Sequence, residues 1–452
     1  MVRQKDPSTV QFAAPAQYPT GPAPAFTGEA AIAEVLDLAL RVGEVLLSSG
    51  AATADVTADI LTLTSAYGLP RCEVDITYTA ITISAHRGLS SPPVNTMRVV
   101  NYRSLDYTRL ADVDRVICDA EAGALSAREA HQALDKITTA PHPYPRWVST
   151  LAWAGMAASI AVLVGGEWLV ALVALLSAVV IDRTRRVLNR TGLPGFFQQV
   201  VGGFIATLPA ALLYAVQDPL HLTVRPSQVA AAGVIVLLSG LSLVGSMQDA
   251  ITGAMVTAAA RFTEVLMLTA GIIVGVGLAL KFASGVGVDL PPLLASTTSL
   301  SRLPVQVLGA AAAAGFFALA CYAERRALAF AAAAGAVGFL AFGLLSNLAG
   351  GTLMASGAAA AFVGFAGGVL SRRYRVPPLV IAVSGITPLL PGLAVYRGLY
   401  AMTNDDAVMG LSEMSAALAT GAALAAGVVF GEWLAKRFRT TLAPRLRTRS
   451  AA

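Results

Sequence analysis

Two short stretches of this 452-residue chain carry hydroxyls and glycines at matching spacing inside otherwise apolar sequence. In the later one, Val380 to Leu399, the residues Ser384, Gly385 and Thr387 precede Pro388, Pro391, Gly392 and Arg397. Proline removes a backbone donor and clashes with a preceding carbonyl, so a helix is expected to break at Pro388 and Pro391. Backbone freed in this way is tolerated in a bilayer only against protein or a water-filled cavity. Broken helices of this kind line solute sites, although a helix kinked merely for packing would carry the same residues. A shift of 145 positions lays Val236–Gly253 on Ile381–Gly398. Ser239 then falls on Ser384, Gly240 on Gly385 and Ser242 on Thr387. The upstream copy lacks both prolines and offers Gly245, Ser246, Gln248 and Asp249 instead.

At about 1.5 Å per helical residue in a core roughly 30 Å thick, Ser239, Ser242, Ser384 and Thr387 all fall near mid-depth. Ser239, Gly240, Ser242, Gln248, Ser384, Gly385, Thr387 and Arg397 are therefore the candidate binding residues for a small polar solute. Against this stands a plainer reading. The hydroxyls would back-bond to the preceding helical turn and the glycines would let helices approach. Asp249 and Glu264 are the candidate proton-coupling groups, since carboxylates at membrane depth are costly and default to function. A break at Gly245–Ser246 would return Asp249 toward a cavity, where desolvation favours its protonated form. A straight helix would leave it at the boundary. Arg397 could pair with Asp249 or with a solute carboxylate, or reach for the headgroups.

The elements that must position these residues are membrane helices. The chain is 56% hydrophobic and 13% charged, where soluble domains carry about 25% charged residues. Its formal charge of +5 comes from arginines in short loops, a topology signal and not a nucleic-acid stripe. Ten spans are expected: 147–164, 167–181, 196–216, 228–244, 264–280, 304–322, 327–345, 352–370, 377–400 and 411–434. Arg183, Arg185, Arg186, Arg190, Arg261, Arg325, Arg326, Arg372, Arg373, Arg375, Lys436, Arg437 and Arg439 fall in alternate connections. The others hold only Arg225, Lys281 and Arg302. By the positive-inside rule both termini are expected in the cytoplasm; the expected location is the inner (plasma) membrane. The matching stretches sit in the fourth and ninth spans, and five spans per copy would invert the second copy. The expected fold is thus a polytopic α-helical membrane protein with a 5+5 inverted repeat: halves 146–280 and 304–440, a connector 281–303 and a basic tail 441–452. The GEWL sequences at Gly166 and Gly431 fall outside the repeat, and their tryptophans are expected to be interfacial anchors.

Ahead of the membrane part, residues 1–27 read as a disordered tail. Residues 28–145 read as a small cytoplasmic α/β domain with a proline-rich linker. Helical spacing runs from Ile32 to Leu46 and from Thr53 to Tyr67. Alternation follows at Val74, Ile76 and Tyr78, then Ile81 and Ile83, with a phase slip near Ala80 that suggests a bulge or bend. A second strand is expected around Met97 and Val99, then two helices, the last opened by the capping box Ser126/Glu129. Cys72, Asp75 and His86 would permit a hydrolase but match no catalytic signature. No phosphate loop or dinucleotide fingerprint occurs, so no nucleotide, cofactor or metal is expected. Energy should come from an ion gradient.

The arrangement resembles the threonine/serine exporter family of bacterial membrane proteins. The resemblance lies in Leu46–Ser84 (LLSSGAATADVTADILTLTSAYGLPRCEVDITYTAITIS), in Leu125–Ile137 (LSAREAHQALDKI) and in SGITPLLPGLAVYRGL from Ser384. It implies a cytoplasmic N-terminal domain, ten spans, no enzymatic activity, and export of threonine and serine driven by protons. The partners implied are a small amino acid, protons and lipid; nucleic acid is excluded, and a homo-oligomer stays open. A membrane-anchored hydrolase and a small-solute channel are the alternatives, though isolated hydroxyl clusters fit a carrier better than a continuous polar stripe would.

Overall fold

The computed structural model describes residues 29–86, 92–101, 105–217, 225–238, 240–288, 301–348, 351–374, 376–403 and 406–447. The fold is mostly helical. The N-terminal unit comprises α1 (Glu29–Ser48), α2 (Thr53–Ala66), β1 (Cys72–Thr77), β2 (Ala80–Ala85), β3 (Val94–Val99), α3 (Tyr107–Glu121) and α4 (Ala127–Thr139). The apolar spacing of α1 places Leu36, Ala39 and Val42 in one buried core with Ile60 of α2 and Ile81 and Ile83 of β2. Arg98 of β3 ties the sheet to α1 through Glu44 at 3.0 Å and Asp37 at 3.3 Å. The expected capping box opens α4, with the Ser126 and Glu129 side chains each meeting the other's backbone.

The phase slip near Ala80 is neither a bulge nor a bend. Thr77 pairs with Ala80 in an antiparallel register, so Tyr78 and Thr79 form a two-residue hairpin turn, with Tyr78 at φ 55°. The turn resets the alternation, and Ile76 and Ile81 stand opposite each other on the buried face. The sheet therefore has three strands in the order β1-β2-β3, one more than expected.

The remaining helices are α5 (Arg146–Leu163), α6 (Trp168–Arg190), α7 (Gly195–Gln217), α8 (Ser227–Leu237), α9 (Gly240–Ile251), α10 (Met255–Gly285), α11 (Leu303–Ala320), α12 (Arg325–Leu348), α13 (Gly351–Tyr374), α14 (Pro378–Ile386), α15 (Gly392–Thr403) and α16 (Ala407–Arg447). Among the described residues, seven helices are long and apolar enough to cross a membrane, or up to nine if each of two bent pairs is one span. Ten were expected. The missing one is α6, which is helical but carries Asp182, Arg183, Arg185, Arg186 and Arg190 in its C-terminal part. Helix α16 also runs through the start of the expected basic tail.

Neighbour relations recur along the chain. Helix α5 packs on α6 as α11 does on α12, and α7 on α10 as α13 does on α16. Helix α7 meets α8 as α13 meets α14, and α9 meets α10 as α15 meets α16. The α7–α10 and α13–α16 pairs approach through glycine. A Cβ on Gly275 would lie 2.1 Å from the Val200 carbonyl oxygen, and one on Gly431 would lie 2.1 Å from that of Ala361. Only residues without a side chain permit such contact.

Candidate functional site

The two hydroxyl-bearing stretches form the two bent pairs. Helix α14 passes through a 3₁₀ turn at Thr387–Leu389 into α15 with a bend of 43°, and the bend contains buried Pro388 and Pro391. Helices α8 and α9 meet at 48°. This break lies beside Leu238, not at Gly245–Ser246, which sit inside a continuous α9. The two breaks touch: a Cβ on Gly392 would come 2.7 Å from Cγ1 of Ile235 on α8. Leu238, Leu243, Leu390 and Pro391 enclose a small apolar gap there of about 40 Å³.

A larger cavity of about 310 Å³ opens between these helices and the N-terminal unit. That volume is near the lower end of small-molecule sites, roughly 300–1,000 Å³. Ser242, Gly245 and Gln248 of α9 line one side, and Ala382, Val383 and Ile386 of α14 another. Arg261 of α10 and Glu432 of α16 supply charge, and Ser48, Ser49 and Gly50, where α1 turns into α2, close it. Gly50 adopts φ 89°, a left-handed conformation that glycine takes without strain.

Asp249 is fully buried beside the cavity. Its Oδ2 lies 2.7 Å from Nη1 of Arg261, and its Oδ1 accepts a 2.9 Å hydrogen bond from the backbone N–H of Thr53. Thr53 is the first residue of α2, so the carboxylate occupies the positive end of that helix. Arg261 in turn reaches the Ala51 carbonyl oxygen at 3.5 Å. Nearby, Thr257 of α10 receives the N–H of Tyr78 and donates to the carbonyl of Ile76, each at 2.9 Å. The α1–α2 turn and the β1–β2 turn are thus both fastened to the start of α10. A second attachment joins α3 to the turn after α11: the Tyr107 N–H donates to the Cys321 carbonyl at 2.9 Å, and Arg115 pairs with Glu324.

Other candidates are placed differently. Arg397 does not pair with Asp249; Arg261 holds that position, and the buried Nε of Arg397 has no hydrogen-bond partner among the described residues. Thr387 back-bonds to the Val383 carbonyl at 2.9 Å, as the packing alternative requires. Gly385 serves close packing, because a Cβ there would lie 2.6 Å from Cγ1 of Val363. Ser384 is fully buried, and its hydroxyl has no partner among the described residues. Gly240 opens α9; Ser239 lies outside the described residues. Glu264 is half-buried on α10, away from the cavity lining. Cys72 and Asp75 point to opposite faces of β1, and His86 lies 3.9 Å from Glu73, so the three do not assemble. Burial also pushes the Cys72 thiol up, away from the reactive thiolate.

Two cavity residues were legible in sequence only as something else. Arg261 was expected in the connection after the fourth span, but α10 begins at Met255 and carries it buried inside the helix. The stretch from Met255 to Thr263 holds no Gly or Pro, the signal that the helix starts early. Glu432 belongs to the second GEWL sequence, which reads as an interfacial motif because of its tryptophan.

The family pattern described as "Putative threonine/serine exporter" matches residues 37–283, and the one described as "Threonine/Serine exporter, ThrE" matches residues 306–434. The chain is 44% identical to a threonine/serine exporter of Corynebacterium glutamicum over 96% of its own length and 89% of that protein. It is also 44% identical to a probable threonine/serine exporter of Mycobacterium tuberculosis, over 90% of its length and 77% of the relative. No solved structure matches it. With both family patterns side by side along the chain and relatives of this likeness over nearly all of it, the chain belongs to the threonine/serine exporter family.

Proposed function

We propose that the protein is a secondary transporter that exports small hydroxy amino acids, threonine and serine, from the cytoplasm at the expense of the proton gradient. The observation that carries this reading is the cavity, a space of about 310 Å³ flanked by the two bent spans and by charged groups of both signs. Bent or broken helices at equivalent places in two halves are where secondary transporters hold their solutes. The names of the two relatives supply the substrate class. The apolar share of the wall, Val244, Leu379, Ala382, Val383, Ile386 and Val428, leaves room for a short side chain and selects against large ones by sterics.

The ten-helix, 5+5 inverted arrangement belongs to the same proposal. Its support is the recurrence of neighbour relations between α5–α10 and α11–α16, with a bent pair fourth in each set. The family patterns also end and resume on either side of the connector, at residues 283 and 306. A cytoplasmic N-terminal unit, 28–145, is supported by its attachment to the α11–α12 turn, which adjoins Arg325 and Arg326. Asp249 is the proposed proton carrier. Its buried ion pair with Arg261 would be undone by protonation, which couples a proton to the wall of the cavity.

Cells loaded with a threonine dipeptide and lacking other exporters test the reading. They should expel threonine faster when this protein is made, and an uncoupler should remove the gain. Efflux indifferent to both would reject it.

A further inference from the structure

We propose that the N-terminal unit forms part of the amino-acid site itself, with the Ser48–Gly50 turn as one wall, Arg261 facing the carboxylate and Glu432 facing the ammonium. This rests on the exporter reading and gives that site its residues. An α-amino acid near neutral pH is a zwitterion, so a site that desolvates it must offer a cation and an anion a few ångströms apart. Among the described residues lining the cavity, Arg261 and Glu432 are the charged ones, of opposite sign and from different helices. A guanidinium suits a carboxylate because it presents planar paired donors.

The turn contributes a matching field. Helix α1 ends at Ser48, so its negative end faces the cavity and favours the ammonium, on the same side of the ledger as Glu432. The Ser48 and Ser49 hydroxyls donate to the Val45 carbonyl at 3.0 and 2.7 Å, and a hydroxyl that donates keeps its lone pairs as acceptors. Ser242 and Gln248 on the opposite wall can meet a side-chain hydroxyl. The turn is not casually placed, because Arg261 and Asp249 hold Ala51 and Thr53 immediately after it. The residue that faces the substrate carboxylate therefore also fastens the wall that closes over it.

The test uses the full-length protein reconstituted in liposomes, in a Cys118→Ser background that removes the exposed native thiol. A small methanethiosulfonate should modify Ser49→Cys, and threonine should slow the modification several-fold with half-effect near the transport KM. Ser48→Cys replaces it if Ser49→Cys does not fold. Separately, Glu432→Gln should raise the KM for threonine about tenfold. It should also shrink the preference for threonine over 2,3-dihydroxybutyrate, which lacks the amine, whereas a purely structural role would leave that ratio unchanged. Threonine protection at Gln248→Cys without any at the turn would overturn the role of the N-terminal unit. An unchanged preference in Glu432→Gln would overturn the ammonium assignment. If the unsubstituted protein moves no threonine, the exporter reading falls, and this assignment with it.

Discussion

Asp249 on α9 and Thr53 at the start of α2 are joined by a 2.9 Å hydrogen bond across 196 residues of sequence. The same carboxylate holds Arg261 at 2.7 Å, so one buried side chain fastens the N-terminal unit to the helices around the cavity. Removing one partner of a buried pair costs roughly 3–5 kcal/mol, because the other charge is left uncompensated. Asp249→Asn should therefore lower thermal stability in detergent more than Asp249→Asn combined with Arg261→Gln. Equal or greater loss in the double variant would show that the pair is not what holds this junction. In liposomes, Asp249→Asn should also abolish the dependence of threonine flux on the proton gradient while leaving exchange intact.

Pro388 and Pro391 lie in the bend between α14 and α15, which contacts α8 at Gly392. Replacing both prolines with alanine should restore helix through the bend and impair transport in a protein that still folds. Monodisperse protein with unchanged threonine flux would reduce them to packing residues.

Gly275 and Gly431 should be intolerant of side chains to a similar degree, since each would place a Cβ 2.1 Å from a facing carbonyl oxygen. Overpacking costs typically about 1–3 kcal/mol and sometimes more. Val at either position should lower the detergent melting temperature, whereas Val at Gly285, which faces open space, should change it far less.

Asp59 on α2 has its carboxyl raised to about 7, first by burial and then by the nearby Asp55 and Asp114. An acid with a raised folded pKa binds more protons when folded, so its contribution falls as pH rises from about 4 to 7. Asp59→Asn should consequently raise the melting temperature by roughly 1–3 °C at pH 8 and by less at pH 5. A larger gain at pH 5 would contradict the assignment.

Reporter fusions after Arg190 and Arg326 should report cytoplasm, and fusions after Gly165 and Ser301 the outside. An external signal from the N-terminal unit would invalidate the orientation and, with it, the direction of export.

Local chemistry made much of this protein readable in sequence. The apolar period of α1, the capping box of α4 and the proline pair in the bend at Pro388 and Pro391 each act over one or two helical turns. Segments of that length obey their own residues, and the bilayer adds a length requirement that composition reveals. The hairpin at Tyr78–Thr79 marks the limit, because a bulge and a tight turn leave the same phase slip and only the Thr77–Ala80 pairing separates them. The cavity lay beyond that limit. Its wall is assembled from Ser49, Ser242, Arg261, Ile386 and Glu432, residues of five different elements or turns whose individual settings look like a turn, a loop charge and an interfacial motif. Sequence could propose that Asp249 wanted a cation, but Arg397 and Arg261 were equal in charge. The choice fell to Arg261 because α10 starts early enough to carry it into the interior beside α9, while Arg397 rides on α15 beyond the bend.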